Sequence, residues 1–257
     1  DPKKAGEDQK DAIKKLKDAK EEIEKRLAQL RQEMQEELLA ALEARFRQML
    51  NKQKPVTIET AGMHKIRQER EWKRIERRTV ANLGREEQVL AQMAQLALDV
   101  IKEDGTTVVF PRVVARLRDD LNNVAKRIEA EETGPYTAAL QKEIELTLEQ
   151  LIAALERAQE VNEQEPPPPG DSPPPGDPPV PPLVPESAEL KLIRAAQDRV
   201  NRLTEAFDKA RAKALSPNDR KAIHDIARRQ EEVYQMAEDI VERGAGATLP
   251  TDAGPPR

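Results

Sequence analysis

Ala12 to Met34 reads AIKKLKDAKEEIEKRLAQLRQEM, and within it Ile13, Leu16, Lys20, Ile23, Leu27, Leu30 and Met34 recur in steps of three and four. These are the a and d positions of a heptad, with one lysine in the seam. A stripe of two apolar positions in seven is too narrow to floor a globular core, and it suits another helix. From about Ala5 to Lys52 the pattern predicts one helix, roughly 70 Å long at 1.5 Å per residue. Acidic residues stand four before basic ones at Asp11/Lys15, Glu21/Lys25 and Glu22/Arg26, the favourable orientation for exposed helical pairs. After Met34 the spacing changes to Leu38, Leu42 and Phe46 at steps of four before Met49, which predicts a stutter.

Composition extends that reading to the whole chain. Of 257 residues 37% are hydrophobic, 35% charged and only 2% aromatic, so a sheet-rich or α/β core lacks its usual materials. The expected class is all-α and elongated: coiled-coil-like helices and antiparallel helical hairpins. Net charge is -5 with both signs finely mixed, which describes solvated helical faces. The absence of cysteine excludes disulfides, thiolate metal sites and cysteine nucleophiles. No apolar run approaches the roughly 20 residues that span a bilayer. The chain begins at Asp1, not Met, which predicts a removed leader or a longer parent.

Glu165 to Pro185, EPPPPGDSPPPGDPPVPPLVP, divides the helical text. Twelve of its residues are proline, so it is expected as an extended polyproline II spacer. Before it, Pro55 and Gly62 bracket a predicted break at 54–61, since Val56, Thr57 and Ile58 favour extended geometry. The first helix thus occupies 1–54 and a helical array 63–164. A second helix, Met63 to Lys102, carries the seam Trp72, Ile75, Thr79, Val89, Met93, Leu96 and Val100, interrupted by Asn82 and Glu86 with Gly84 alongside, where a kink is expected. Gly105 suits a C-cap and Pro111 the first turn of a third helix to Glu132, with Leu117, Leu121, Val124 and Ile128 on one stripe. Thr133-Gly134-Pro135 turns into a fourth helix ending at Glu163, carrying Leu140, Ile144, Leu148, Leu151 and Leu155. So short a turn makes the helices of 111–163 antiparallel neighbours.

After the spacer, 186–243 reads as a second antiparallel hairpin. Its first helix repeats Ile193, Ala196, Val200, Leu203, Phe207 and Ala210; its second, opened by Ser216-Pro217-Asn218-Asp219, repeats Ile223, Ile226, Gln230, Val233, Ala237 and Ile240. An isolated pair buries little, so a third helix is expected against it, from a second copy or from the N-terminal half. Gly244 to Arg257 is expected as a disordered tail.

Candidate chemistry is sparse. His64 and His224 lie on opposite sides of the spacer without a carboxylate at a fixed spacing, no Glu-x-x-His pair offers metal ligands, and no glycine-rich phosphate loop precedes a lysine. No catalytic, metal or cofactor residue is therefore assigned, and no small-molecule substrate is expected. His64 to Arg78, HKIRQEREWKRIERR, carries seven Lys/Arg against three Glu and sets Arg67, Arg70, Arg74 and Arg77 along one face. That face suits nucleic-acid phosphates or anionic lipid. It equally suits the acidic stretch Glu129 to Glu165, ten acids against two bases, and this pairing is preferred because aromatics that stack on bases are nearly absent. The expected role is a non-enzymatic scaffold that self-associates through its seams: Ile13, Leu16, Ile23, Leu27 and Leu30 in the arm, and Ile193, Val200, Leu203, Phe207, Ile223, Ile226, Val233 and Ile240 in the hairpin. Lys20, Asn82 and Gln230 would restrict its register. A nucleic-acid or anionic-membrane module acting through 64–78 is the alternative.

Three passages carry a resemblance: DGTTVVFPRVV at 104–114 with RDDL at 118–121, TGPYT at 133–137, and AELKLIRAAQDRVNR at 188–202 followed by LSP at 215–217. In these the chain resembles large, uncharacterised helical proteins of planctomycete-type environmental bacteria. The resemblance implies a longer, exported or envelope-associated parent, with no assigned activity to carry over.

Overall fold

The computed structural model describes residues 2–164, 182–210 and 217–247. The proline-rich stretch up to 181, Ser216 and the tail from 248 lie outside the described residues. Six helices make up the rest, with no strand among the described residues: α1 Pro2–Glu69, α2 Arg74–Asp104, α3 Val109–Glu129, α4 Pro135–Gln164, α5 Glu186–Ala210 and α6 Pro217–Ala247. The all-α class is thus observed. Two compact units divide the chain, Asp1–Ala41 and Leu42–Arg257.

In the first unit α1 displays both its charges and its apolar stripe. Lys20 pairs with Glu24 at 3.4 Å and Arg26 with Glu22 at 3.0 Å, both at i,i+4 on the solvated faces. Ile13, Leu16, Ile23, Leu27, Leu30 and Met34 are 45–70% exposed.

In the second unit the remainder of α1 is a core helix. Leu42, Phe46, Met49, Gln53, Val56 and Thr60 are buried at alternating steps of four and three. Leu39 is buried and Leu38 half-buried, so the successive steps of four expected through Leu38, Leu42 and Phe46 are not the buried set. The break expected at 54–61 does not occur. Pro55 sits inside α1 with its ring exposed. A proline in a helix interior costs about 3 kcal/mol, whereas burying Phe46, Met49 and Val56 contributes roughly 1.5–3 kcal/mol each. Continuity of the buried face wins.

The chain turns at residues 70–73, where the heptad pattern predicted uninterrupted helix. Trp72 is the anchor: its ring is buried, Nε1 donates to the Met63 carbonyl at 2.9 Å, and the Arg67 guanidinium lies 4.9 Å from the ring centroid. Glu76 then accepts from the Lys73 backbone N–H at 2.6 Å and caps α2.

The expected seam of α2 is displaced to another face. Ile75, Val89 and Leu96 are exposed, and the buried face is Val80, Leu83, Gly84, Glu87, Leu90, Ala91, Ala94, Ala97, Leu98 and Ile101. Small residues on that face bring α2 close to α3. A Cβ on Gly84 would meet Glu129 Cγ at 3.2 Å, so this glycine marks a close helix approach inside an unbroken helix, where a kink was expected. Gly105 ends α2 at φ 66°, with its N–H donating to the Ile101 carbonyl, as its position predicted.

α3 and α4 keep their predicted stripes: Leu117, Leu121, Val124 and Ile128 face Leu140, Ile144, Leu148, Leu151 and Leu155 within the core. α3 begins at Val109, two residues before Pro111, and stops at Glu129; Glu131, at φ 60°, makes the turn. α1 runs antiparallel to α4, since Arg47 meets Glu156, Lys54 meets Glu149 at 3.4 Å, and Thr60 meets Gln141 at 3.2 Å.

α5 and α6 pack on this body. Arg202 grips Glu143 of α4 with two bonds of 2.7 and 2.9 Å, Phe207 stacks edge-on to Tyr136, and Arg112 of α3 meets Asp239 of α6 at 2.5 Å. The third helix expected against this pair is therefore supplied by the chain itself. α6 continues to Ala247, past the start of the expected tail. The last described residues of the proline stretch are also packed: Leu183 and Val184 are buried, and the Leu183 N–H donates to Thr106 Oγ1 at 2.8 Å.

Candidate functional site

Of the residues expected to form association seams, only those of α1 face solvent together. Val200, Leu203 and Phe207 of α5 and Val233 and Ile240 of α6 are buried within the second unit; Ile193 and Ile226 are half-buried, and Ile223 is exposed. The buried register of α6 is Ala222, Arg229, Val233, Met236 and Ile240, and that of α5 is Ala188, Leu192, Ala196, Arg199, Leu203 and Phe207. Gln230 is exposed and exchanges amide bonds of 2.9 Å with Gln197. Lys20 stays in its predicted place on the open stripe of α1, and Asn82 is exposed on α2.

The basic segment 64–78 does not form one helical face, because it is split by the corner at Trp72. Arg67 lies at the end of α1, Arg70 opens the corner, and Arg74 and Arg77 begin α2. Arg70 binds Glu76 at 2.6 Å, and Arg67 binds Glu71 at 2.7 Å. Arg67 and Arg77 each approach Glu131, at 3.5 Å, from opposite sides. Exposed Arg74 joins none of these pairs. Beyond the segment's own Glu71 and Glu76, the acid it meets is thus Glu131 in the turn before α4, while Glu143, Glu145, Glu149, Glu156 and Glu160 of α4 pair elsewhere.

Three buried polar nodes were not foreseen. The first is Glu189 of α5, fully buried, whose Oε1 accepts from the backbone N–H groups of Val108, Val109 and Phe110 at 3.0, 2.9 and 3.4 Å. Its Oε2 accepts from Arg243 of α6 at 2.6 Å. A carboxylate from a distant helix thereby caps α3, whose own N-cap, Val108, has no side-chain acceptor.

The second node joins α3, α5 and α6. Asp120 accepts from Arg229 at 2.9 Å, with a second charge contact of 2.7 Å, and lies 3.1 Å from Arg116 and 3.9 Å from Arg199; Asp225 accepts from Arg116 and Arg229, both at 2.7 Å. Burial opposes the charge of Arg229, but Asp120 and Asp225 outweigh it and hold the guanidinium above its ordinary range. Arg199 has the weaker partner, and burial pulls it down to about 10. Burial likewise raises Asp225, and Arg229 with Arg116 more than reverses it.

The third node lies between α1, α2 and α4. Glu87, fully buried, accepts from Gln53 at 2.9 Å and Gln141 at 2.8 Å through the same oxygen. Its Oε2 and the amide oxygens of both glutamines have no partner. Burial pushes this carboxyl up to about 7, against the two amide bonds.

A signal for these nodes existed. Arg199 stands three and four residues from buried Ala196 and Leu203, Arg229 four before buried Val233, and Glu87 four and three from Leu83 and Leu90. Reading only aliphatic residues as seam positions shifted α2 and α6 onto an adjacent face, while Ala196, Val200, Leu203 and Phe207 of the α5 seam are buried.

His64 contacts Gln68 at 3.1 Å and Thr133 at 3.5 Å, His224 is exposed, and among the described residues no three His, Asp or Glu side chains are grouped to hold a metal. An open cleft of about 340 Å³ lies beside Lys126, Arg127, Tyr136, Lys221 and Asp225. Its two acids are already engaged, Asp225 by Arg116 and Arg229 and Glu132 by Arg127. No protein-family model, curated protein or solved structure matches the chain. Among the described residues no helix is long and apolar enough to cross a membrane.

Proposed function

We propose that the chain is a non-enzymatic association protein whose coiled-coil arm, the heptad stripe of α1 from Ile13 to Met34, pairs with a helix of another molecule. One observation carries this: six large apolar side chains at heptad spacing stand 45–70% exposed on a helix whose other faces are charged. An apolar stripe of this kind, broken only at Lys20, is costly in water and gains stability when a second helix covers it. The opposite is true of most of the hairpin 186–243, where Val200, Leu203, Phe207, Val233 and Ile240 are buried within the second unit; it anchors, and the arm associates. The basic segment favours nucleic acid or lipid less, because Arg67, Arg70 and Arg77 already meet carboxylates. An exported or envelope-associated setting, implied by the resemblance to planctomycete-type proteins, suits such a role.

Light scattering of the purified chain at micromolar concentration is the test. A mass of two or more copies is expected, with Leu16→Asp/Leu27→Asp reduced to one copy at unchanged thermal stability of the second unit. A monomer throughout would overturn the proposal.

A further inference from the structure

We infer that the occupant of the α1 stripe is a second copy of the same stripe, running antiparallel with Leu16 of one chain opposite Leu27 of the other. This rests on the association reading above and adds the partner, its direction and its register.

The argument is electrostatic, because the apolar positions alone allow either direction. With Ile13, Lys20, Leu27 and Met34 at a and Leu16, Ile23 and Leu30 at d, the flanking e positions are Lys17, Glu24 and Arg31, and the g positions are Ala12, Ala19, Arg26 and Glu33. In a parallel, in-register pair each g faces the next e of the partner. Ala12 then meets Lys17, Ala19 meets Glu24, and Arg26 meets Arg31, so no attractive pair forms and one repulsive pair forms twice. Lys20 would also lie in one layer with its own copy.

In an antiparallel pair a faces d, e faces e and g faces g. Setting Ile13 against Leu30, Leu16 against Leu27 and Lys20 against Ile23 gives six layers over 13–30. Lys17 of each chain then faces the partner's Glu24 along one flank, and Arg26 faces the small Ala19 along the other. The two copies of Lys20 fall in different layers. No like charges meet at the flanks between Ile13 and Leu30. Shifting the register by one heptad, so that Leu16 faces Met34, sets Lys17 against Arg31 and Glu24 against itself. Charge therefore separates both the direction and the register, through attraction in one arrangement and repulsion in the others.

The surrounding surface leaves room for this. Lys20 and Glu24 are 74% and 56% exposed at the side chain, and their mutual contact of 3.4 Å is an exposed i,i+4 pair that a cross-helix contact easily replaces.

The chain contains no cysteine, so single cysteines report the geometry without background. Leu16→Cys and Leu27→Cys variants are purified separately, oxidised alone and as an equimolar mixture, and resolved on non-reducing gels. The inferred dimer predicts a disulfide-linked species in the mixture and little in either variant alone. In this register the two copies of position 16 lie about 16 Å apart along the axis, eleven residues at 1.5 Å each, while a disulfide needs Cα atoms within about 7 Å. Efficient self-linking of Leu16→Cys would overturn the inference in favour of a parallel pair. Linking of Leu16→Cys to Met34→Cys in preference to Leu27→Cys would overturn the register. A dimer by light scattering with no linkage in any combination would place the interface elsewhere and also overturn it. A monomer would instead bring down the association reading itself.

Discussion

Replacing Glu189 removes the acceptor for three backbone donors at once, a large effect from one side chain. In Glu189→Ala the N–H groups of Val108, Val109 and Phe110 lose bonds of 3.0, 2.9 and 3.4 Å at the N-terminus of α3. Loss of an N-cap costs about 1 kcal/mol, and each buried donor left unpaired costs about 1–3 kcal/mol. Val108 is only half-buried and recovers water, so the two remaining donors set the total at about 2–6 kcal/mol. Glu189→Gln keeps an acceptor for the amides but loses the charge facing Arg243, and should cost about 1–2 kcal/mol. Arg243→Ala should cost about 1 kcal/mol or less, because that guanidinium is one-third exposed and its pairing is screened. Urea denaturation followed by circular dichroism orders the three variants, and hydrogen exchange should show lost protection at residues 108–110 in the alanine variant. If Glu189→Ala cost under about 1 kcal/mol, or if Arg243→Ala cost as much, the cap would not be what holds α5 and α6 to α3.

Glu87 predicts a pH dependence of opposite sign to that of an ordinary paired carboxylate. Its folded value of about 7 lies above the unfolded 4.5, so the folded state binds the extra proton and stability falls as pH rises from 4.5 through 7, by about 3 kcal/mol at most. Glu87→Gln, which gives a donor to a node holding three unpartnered oxygens, should flatten that dependence and raise the melting temperature at pH above 7, read by thermal scans across pH. Asp120→Ala leaves Arg116, Arg199 and Arg229 buried without their shared acid, and should destabilise by about 3–5 kcal/mol in urea titrations. Trp72→Phe removes the bond to the Met63 carbonyl and most of the Arg67 contact; a loss of about 1–2 kcal/mol is expected by the same measurement.

The sequence by itself determined that the chain is helical, where Gly105 ends α2, that α3 and α4 are joined by a tight turn, and which aliphatic stripes those two helices bury. Each of these rests on local chemistry: helix-forming residues, a glycine able to take φ 66°, and wide aliphatic faces that read the same in isolation and in the fold. Tertiary structure alone decided whether Pro55 breaks its helix, which face of α2 and α6 turns inward, and that 70–73 is a corner. The reason is that burial is settled by what stands opposite. Gly84, Ala91, Ala94 and Ala97 are buried because α3 comes close, Glu87 because two glutamines meet it, and Arg229 because two aspartates on other turns and helices do. None of those partners is a near neighbour in sequence on the same helix except Asp225, and a pattern of apolar spacing has no means of anticipating them.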